Sequence, residues 1–310
     1  MKIAVVAHRK KSLGGGLPAL RSGLADRGHD EVDWHEVAKS RMAPAVLADV
    51  IKRRPDLVIV WGGDGMVQRA VDTLARKKSP EGITMAVMPA GTSNLFASNL
   101  EIPEDLEQAL DIALGGATKL VDVGVLNGER FATMAGLGMD ARMIQDASGA
   151  LKQRFGRAAY VMTGIKNLGT VAQMTIEVDR TEWYAGPASC VVFGNVGSLI
   201  GGIDLFPHAD PADGRLDFAV ISADGPVQWA RLAGRALGGD IARSPFVTIG
   251  CGRRINVRAD RKLAFELDGG ERGETKNLKV RLRRHAVQVR VPQANGATDE
   301  QSGFAVEIKK

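Results

Sequence analysis

A chain of 310 residues, 45% apolar and 25% charged, is long enough for roughly two domains with a substantial core and reads as globular. Lys and Arg number 41 against 36 Asp and Glu, and the formal charge of +5 suits an anionic nucleotide or a membrane surface without singling out nucleic acid. The N-terminal apolar stretch is too short for a signal peptide and no apolar run approaches a membrane span, so a cytoplasmic protein without a transmembrane segment is expected.

Residues 2–7 predict a first strand, followed by a loop over 8–16 rich in Arg, Lys and Gly. His8, Arg9, Lys10 and Lys11 offer phosphate contacts there, against the plainer reading of a solvated basic loop. Leu17, Leu20, Leu24 and Ala25 mark a helix stopped by Gly28. Residues 32–37 predict a second strand, and Ala45, Val46, Val50 and Ile51 the apolar face of a helix before Pro55.

Residues 57–74, LVIVWGGDGMVQRAVDTL, combine a buried strand, a glycine turn and a helix with Val67, Ala70, Val71 and Leu74 at helical spacing. Glycines around Asp64 permit φ > 0 and the close approach of a phosphate, to which the helix N-terminus offers N–H groups. A carboxylate at an anion site needs a reason, and Asp64 has two candidates: a bound cation, or a nucleotide hydroxyl that it orients. Residues 83–97 repeat the plan, with Thr92, Ser93 and Asn94 at the second helix start. Two such turns at the carboxyl ends of neighbouring parallel strands face one crevice, where open α/β sheets bind ligands. A further helix carries Leu106, Ala109, Leu110, Ala113 and Leu114 and ends at Gly115 and Gly116.

Beyond residue 121 the texture changes. Runs at 119–126 and 130–135 flank Asn127 and Gly128, a hairpin signal. Alternating runs follow at 173–178, 189–195, 216–221, 254–258, 263–267, 278–283 and 286–291, arguing for an antiparallel sandwich or barrel. Two helical stretches interrupt them. Residues 151–168 interleave Leu151, Phe155, Tyr160 and Ile165 with Lys152, Arg154, Arg157 and Lys166, as an interfacial helix on anionic lipid or, more plainly, a helix covering the sheet. Residues 227–237 place Trp229, Leu232, Ala233 and Leu237 on one packing side. Cys190 reads as core, and neither it nor Cys251 has metal-ligand spacing. The polar stretch 292–303 precedes Phe304, Val306 and Ile308, whose alternation suits an edge strand or pairing in a homodimer.

WGGDGMVQ and PAGTSNLFA resemble the GGDGT and P-x-GT-x-N motifs of the diacylglycerol kinase catalytic family, which includes sphingosine kinases and bacterial soluble lipid kinases. The likeness continues through VDVGVLNGERFATMAGLGMDA, LKQRFGRAAYVMTGIKNL, FGNVGSLIGGIDLFPHADPADGRLDFAVI and ADRKLAFELDGG, in order along most of the chain. It implies an α/β nucleotide-binding domain with a parallel sheet over residues 1–121, similar to NAD kinases, then a mainly β sandwich over 122–292 and a tail over 293–310.

By that resemblance the expected activity is an ATP-dependent lipid kinase acting on a hydroxyl of diacylglycerol or a similar lipid at a membrane surface, with ATP and Mg²⁺ as cofactors. NAD kinase, or a lipid- or nucleotide-binding homologue without turnover, are the rivals. Gly62, Gly63, Asp64, Gly65, Met66, Gln68, Gly91, Thr92 and Asn94 fall on the nucleotide motifs, Met66 standing where the family has Thr and Gln68 where it commonly has Asn. HADPADGR resembles the family's magnesium loop, implying a carboxylate ligand from Asp213 and backbone carbonyls from Asp210 and Arg215. The family's base follows L-D-G as Glu, a position held here by Gly270. Glu271, shifted by one residue, or Asp268 is then the expected substitute, unless activity is impaired.

Overall fold

Runs such as IAVVAH and LVIVWG are apolar at nearly every position, a pattern that buries both faces of a strand and calls for helices on each side. The computed structural model describes residues 1–76, 82–138, 171–199 and 203–293, and its first third meets that demand. β1 (Ile3–His8) leads through α1 (Gly16–Ala25) to β2 (Asp33–Val37), then α2 (Ala43–Lys52), β3 (Leu57–Gly62), α3 (Asp64–Arg76) and β4 (Thr84–Pro89). The four strands are parallel in the order β4-β3-β1-β2. α4 (Leu95–Asn99) and α5 (Leu106–Gly115) follow, and the Asp105 carboxylate caps α5 by accepting from the Gln108 amide at 3.0 Å. The stripe that α2 buries is Ala43, Leu47, Val50 and Ile51; Ala45, expected on it, faces solvent.

From Ala117 the pairing turns antiparallel. β5 (Ala117–Leu126) and β6 (Glu129–Phe131) form the hairpin signalled by Asn127 and Gly128, whose φ values of 48° and 99° suit a two-residue loop with both residues left-handed. The run expected over 130–135 is broken at Ala132 and Thr133, where the chain bends into β7 (Met134–Leu137). β8 (Ala172–Val178), β9 (Thr181–Ala188), β10 (Cys190–Gly194), β11 (Ser198–Leu199), β12 (Ile203–Asp204) and β13 (Leu216–Ile221) come next. After α6 (Gly225–Leu237), β14 (Val247–Gly252), β15 (Arg254–Leu267) and β16 (Gly270–Val291) complete the described chain.

Phe131, Phe193, Phe218, Ile255, Leu267 and Leu278 belong to the core of this second, β-sandwich domain. On the opposite face of β10 and β13, Val192 and Ala219 share a smaller cluster with Leu232 and Ala236 of α6. Leu237 was expected in that packing and is exposed instead. Cys190 is buried as expected, which pushes its thiol up to about 12.

The four segments expected over 254–267 and 278–291 are two long strands with register shifts, because β15 and β16 pair with each other along most of their length. β16 also pairs with β5 and, at Gln288 and Val289, in parallel with β4, so one fourteen-stranded sheet passes from the α/β domain into the sandwich. β5 runs through Val121, the expected domain boundary, and keeps its partner β16 on both sides of it. The helix expected over 151–168 and the tail strand beyond residue 303 lie outside the described residues.

Candidate active site

The carboxyl ends of β1, β3 and β4 meet where His8, Gly62 to Gly65 and Ala90 to Asn94 come together. Ala90 N–H donates to the Gly62 carbonyl at 3.0 Å, extending the ladder into the turns. Gly62, Gly63, Gly65 and Gly91 do not have positive φ, which corrects the expectation of left-handed backbone there. Closeness is what requires glycine: a Cβ on Gly63 would stand 2.8 Å from the Gly91 Cα, and one on Gly91 would strike the Gly63 Cα and stand 2.6 Å from Asn94 Oδ1. The two turns pack backbone against backbone. Gly91→Ala is therefore expected to cost about 2–3 kcal/mol, by analogy with overpacked cores. A urea midpoint equal to the wild type's would refute that packing role.

Asn94, in left-handed backbone with φ 48°, locks its own turn. Its Oδ1 accepts from Gly91 N–H at 2.8 Å, and its Nδ2 donates to the Gly91 carbonyl and to Glu104 Oε1 at 2.7 Å. Asp64 opens α3, and its Oδ1 accepts from the Phe96 amide at 3.3 Å at the start of α4. That contact ties one motif to the other and supplies a reason for the carboxylate that the sequence did not reveal. Burial raises its carboxyl above the usual range, against the pull of backbone N–H groups at Asn94, Leu95 and Phe96. Gly65 and Thr92 are exposed. Met66 is buried, with its Cβ and Cγ closing over Gly62.

Gln68 does not point into the crevice as an amide donor for phosphate. It is buried and donates through Nε2 to the Arg130 carbonyl at 2.9 Å, fastening α3 to β6. One turn later Asp72 does similar work: it pairs with Arg76 at 2.8 Å and Arg130 at 3.5 Å and accepts from Arg130 N–H. A buried Gln and Asp four residues apart on a helix signal a polar seam, which the apolar spacing of α3 concealed. A second tie joins α4 to β11, where Asn99 donates to the Ser198 carbonyl at 3.0 Å and accepts from its N–H at 2.9 Å.

In the LDGG segment Leu267 pairs with Gly270 and Glu266 with Glu271. Asp268 and Gly269, with φ of 43° and 79°, are the two-residue loop between β15 and β16. Asp268 fastens this loop to the β6–β7 bend. Its carboxylate accepts from the amides of Ala132, Thr133 and Met134, each at 2.9 Å, and from the Thr133 hydroxyl. With both oxygens engaged it is a fastening group rather than the expected base. Burial pushes its carboxyl up, opposed by those donors. Glu271 is exposed. A Cβ on Gly270 would stand 2.5 Å from Arg272 Nη1, and that guanidinium is held by Glu129 through bonds of 2.9, 2.8 and 2.5 Å. Glu266, missed by sequence reading, is fully buried beside this loop.

Asp210, Asp213 and Arg215 lie together in the loop before β13, closed on itself. The Asp210 carboxylate accepts from Lys119 Nζ and Ala212 N–H, each at 2.9 Å, and its carbonyl from Asp213 N–H at 3.2 Å. Asp213 Oδ1 accepts from Arg215 N–H at 2.7 Å. Beneath them buried Asp122 accepts from Gly214 and His285 amides at 2.8 and 2.6 Å. Among the described residues no group of three His, Cys, Asp or Glu side chains converges as a metal centre. Lys119 engages the Asp210 side chain, while the expected ligands, the Asp213 carboxylate and the Asp210 and Arg215 carbonyls, stand together in this one loop and would hold Mg²⁺ through hard oxygen donors.

An α/β layer with paired glycine turns, fused through a shared strand to a β-sandwich, is a fold shared with lipid kinases and NAD kinases. Residues 10–126 match the diacylglycerol kinase catalytic domain and residues 133–291 the YegS C-terminal NAD kinase beta sandwich-like domain; the chain belongs to this two-domain diacylglycerol kinase family. It is 28% identical over 257 residues to a diacylglycerol kinase of Bacillus subtilis, covering 82% of this chain and 84% of that one. A diacylglycerol kinase structure from Bacillus anthracis superposes with a TM-score of 0.73 at 20% identity, over 94% of this chain and 96% of that one. An NAD kinase from Archaeoglobus fulgidus gives 0.51 at 12% identity over 94% and 93%, a more distant version of the same fold.

Proposed function

We propose that the protein transfers the γ-phosphate of ATP, presented as its Mg²⁺ complex, to a hydroxyl of diacylglycerol or a similar lipid. The observation that carries this reading is the close packing of the two glycine turns at the carboxyl ends of β3 and β4, beside the seam with the sandwich. Backbone N–H groups there, with the N-terminus of α3, suit the phosphates. An NAD kinase reading is disfavoured by the match of residues 10–126.

A second reading, a binding protein without turnover, draws on Gly270, whose missing side chain leaves Arg272 where the family's base would begin. Transfer of labelled γ-phosphate to lipid in mixed micelles decides between them. The wild type is expected to label lipid, and Asp64→Ala to lose at least a hundredfold while keeping its circular dichroism. Undiminished transfer by that variant would take Asp64 out of the site. No product despite ATP binding would establish the second reading.

Work at a membrane surface is favoured by Arg254, Arg258, Lys279 and Arg281 on the paired strands β15 and β16, with Arg254 directly opposite Arg281. Like charges across a ladder repel unless an anion lies over them. The same assay with increasing phosphatidylglycerol is expected to run faster; indifference to that lipid would count against membrane docking.

A further inference from the structure

At the end of the sandwich where β8 turns into β9 and β14 into β15, a cleft of about 570 Å³ is lined by Arg180, Arg215, Arg253 and Arg254, with Asp179 and Gly252. None of it belongs to the α/β domain that carries the glycine turns. Among the described residues these four guanidinium groups have no ion-pair partner. The carboxylate in the lining is engaged by backbone instead: Asp179 Oδ1 accepts from Arg254 N–H at 2.9 Å and Oδ2 from Arg253 N–H at 3.3 Å. Arg253 is held in place, its Nε donating to the Gly214 carbonyl at 3.2 Å and its own carbonyl accepting from Leu282 N–H at 2.9 Å. A Cβ on Gly252 would strike the Val178 side chain, so glycine is what lets the β14–β15 turn sit close against β8.

The backbone at Arg180 is a separate observation. Asp179 and Arg180 form the two-residue loop of the β8–β9 hairpin, left-handed at φ 50° and 79°. Such a loop favours glycine at its second position, because a side chain there is strained. A long cation stands there instead, on the rim of a cleft that holds three more. Strain kept for the sake of one side chain is a mark of a functional position.

We infer that this cleft binds a phosphate group, free or as the headgroup of an anionic lipid. Guanidinium forks match phosphate oxygens in pairs, and four of them without carboxylate partners make a positive field that an anion relieves. Two features favour the headgroup. The cleft has room for more than a phosphate, and Arg254 continues it onto the outer face of β15 and β16, where Arg281 lies opposite and Arg258 and Lys279 follow on the same side. The inference stands apart from the kinase reading, since it concerns binding alone.

The full chain without nucleotide is titrated with inorganic phosphate by calorimetry, and sedimented with phosphatidylcholine vesicles with and without phosphatidic acid. Arg180→Gly is expected to weaken binding about tenfold, and Arg180→Gly with Arg253→Gln about a hundredfold, each charge-assisted contact being worth about a factor of ten. Glycine also relieves the turn, so the weaker binding of Arg180→Gly should come with a higher urea midpoint and cannot be put down to unfolding. Arg231→Gln with Arg243→Gln removes two exposed charges on and just after α6, towards the opposite end of β14, and should leave binding within about twofold. Loss of vesicle association in the cleft variants identifies a headgroup site, and loss in the calorimeter alone a site for free phosphate. Cleft variants equal to the wild type in both arms overturn the inference, since phosphate held at the glycine turns would not respond to them. An α6 pair that loses as much as the cleft pair overturns it too, leaving only the overall charge.

Discussion

Asp268→Ala should lower stability by about 4 kcal/mol in urea unfolding at pH 7, an order-of-magnitude figure built from three exposed consequences of one deletion. The amides of Ala132, Thr133 and Met134 lose the acceptor they share. Each buried unsatisfied donor costs roughly 1–3 kcal/mol. Alanine must also adopt the left-handed backbone that Asp268 holds at φ 43°, adding about 1 kcal/mol. Asp268→Asn keeps one acceptor oxygen and tolerates the turn, so it should lose about half as much. An Ala variant within 1 kcal/mol of the wild type would show that the β6–β7 bend does not depend on this carboxylate. The bend also holds Asn195, whose Nδ2 donates to the Ala132 carbonyl at 3.1 Å and to that of Asp122 at 2.8 Å, so loosening it loosens the loop before β13 as well.

Local patterns made much of this fold legible. The apolar runs of β3 and β4 and the helical spacing of α3 are decided within about fifteen residues, and so is the Asn127-Gly128 hairpin. The glycine turns do not use the positive φ expected of them: Gly63 and Gly91 are also required by each other, 28 positions apart, and no single-turn argument contains that contact. Gln68 was placed on the nucleotide motif because its partner, the Arg130 carbonyl, arrives from the second domain. Glu266 escaped notice because FEL alternates, and alternation alone assigns the polar residue to solvent. The signal that could have exposed it is a charge within a run that has strands on both sides, but that centrality is created by β7 and β16 pairing from elsewhere in the chain. The same distance hid the unity of β16, which was expected as two short strands and is the piece that joins both domains.

Glu266→Gln should remove a pH dependence worth about 4–5 kcal/mol, obtained from the shift of its carboxyl from 4.5 to about 8 at 1.36 kcal/mol per pH unit. The sign follows from which state holds the proton. Between pH 4.5 and 8 the folded protein keeps the Glu266 proton while the unfolded chain has released it, so raising the pH favours unfolding by about 1.4 kcal/mol for each unit from this group alone. Below pH 4.5 both states are protonated and the contribution is fully present; above pH 8 both are ionised and it is fully lost. Glutamine carries no such proton. The difference in unfolding free energy between variant and wild type should therefore move in the variant's favour by 4–5 kcal/mol between about pH 4.5 and 9, whatever its value at the acid end, since other titrating groups are common to both proteins. A difference that stays constant within about 1 kcal/mol would mean that the buried carboxyl ionises as readily as in water.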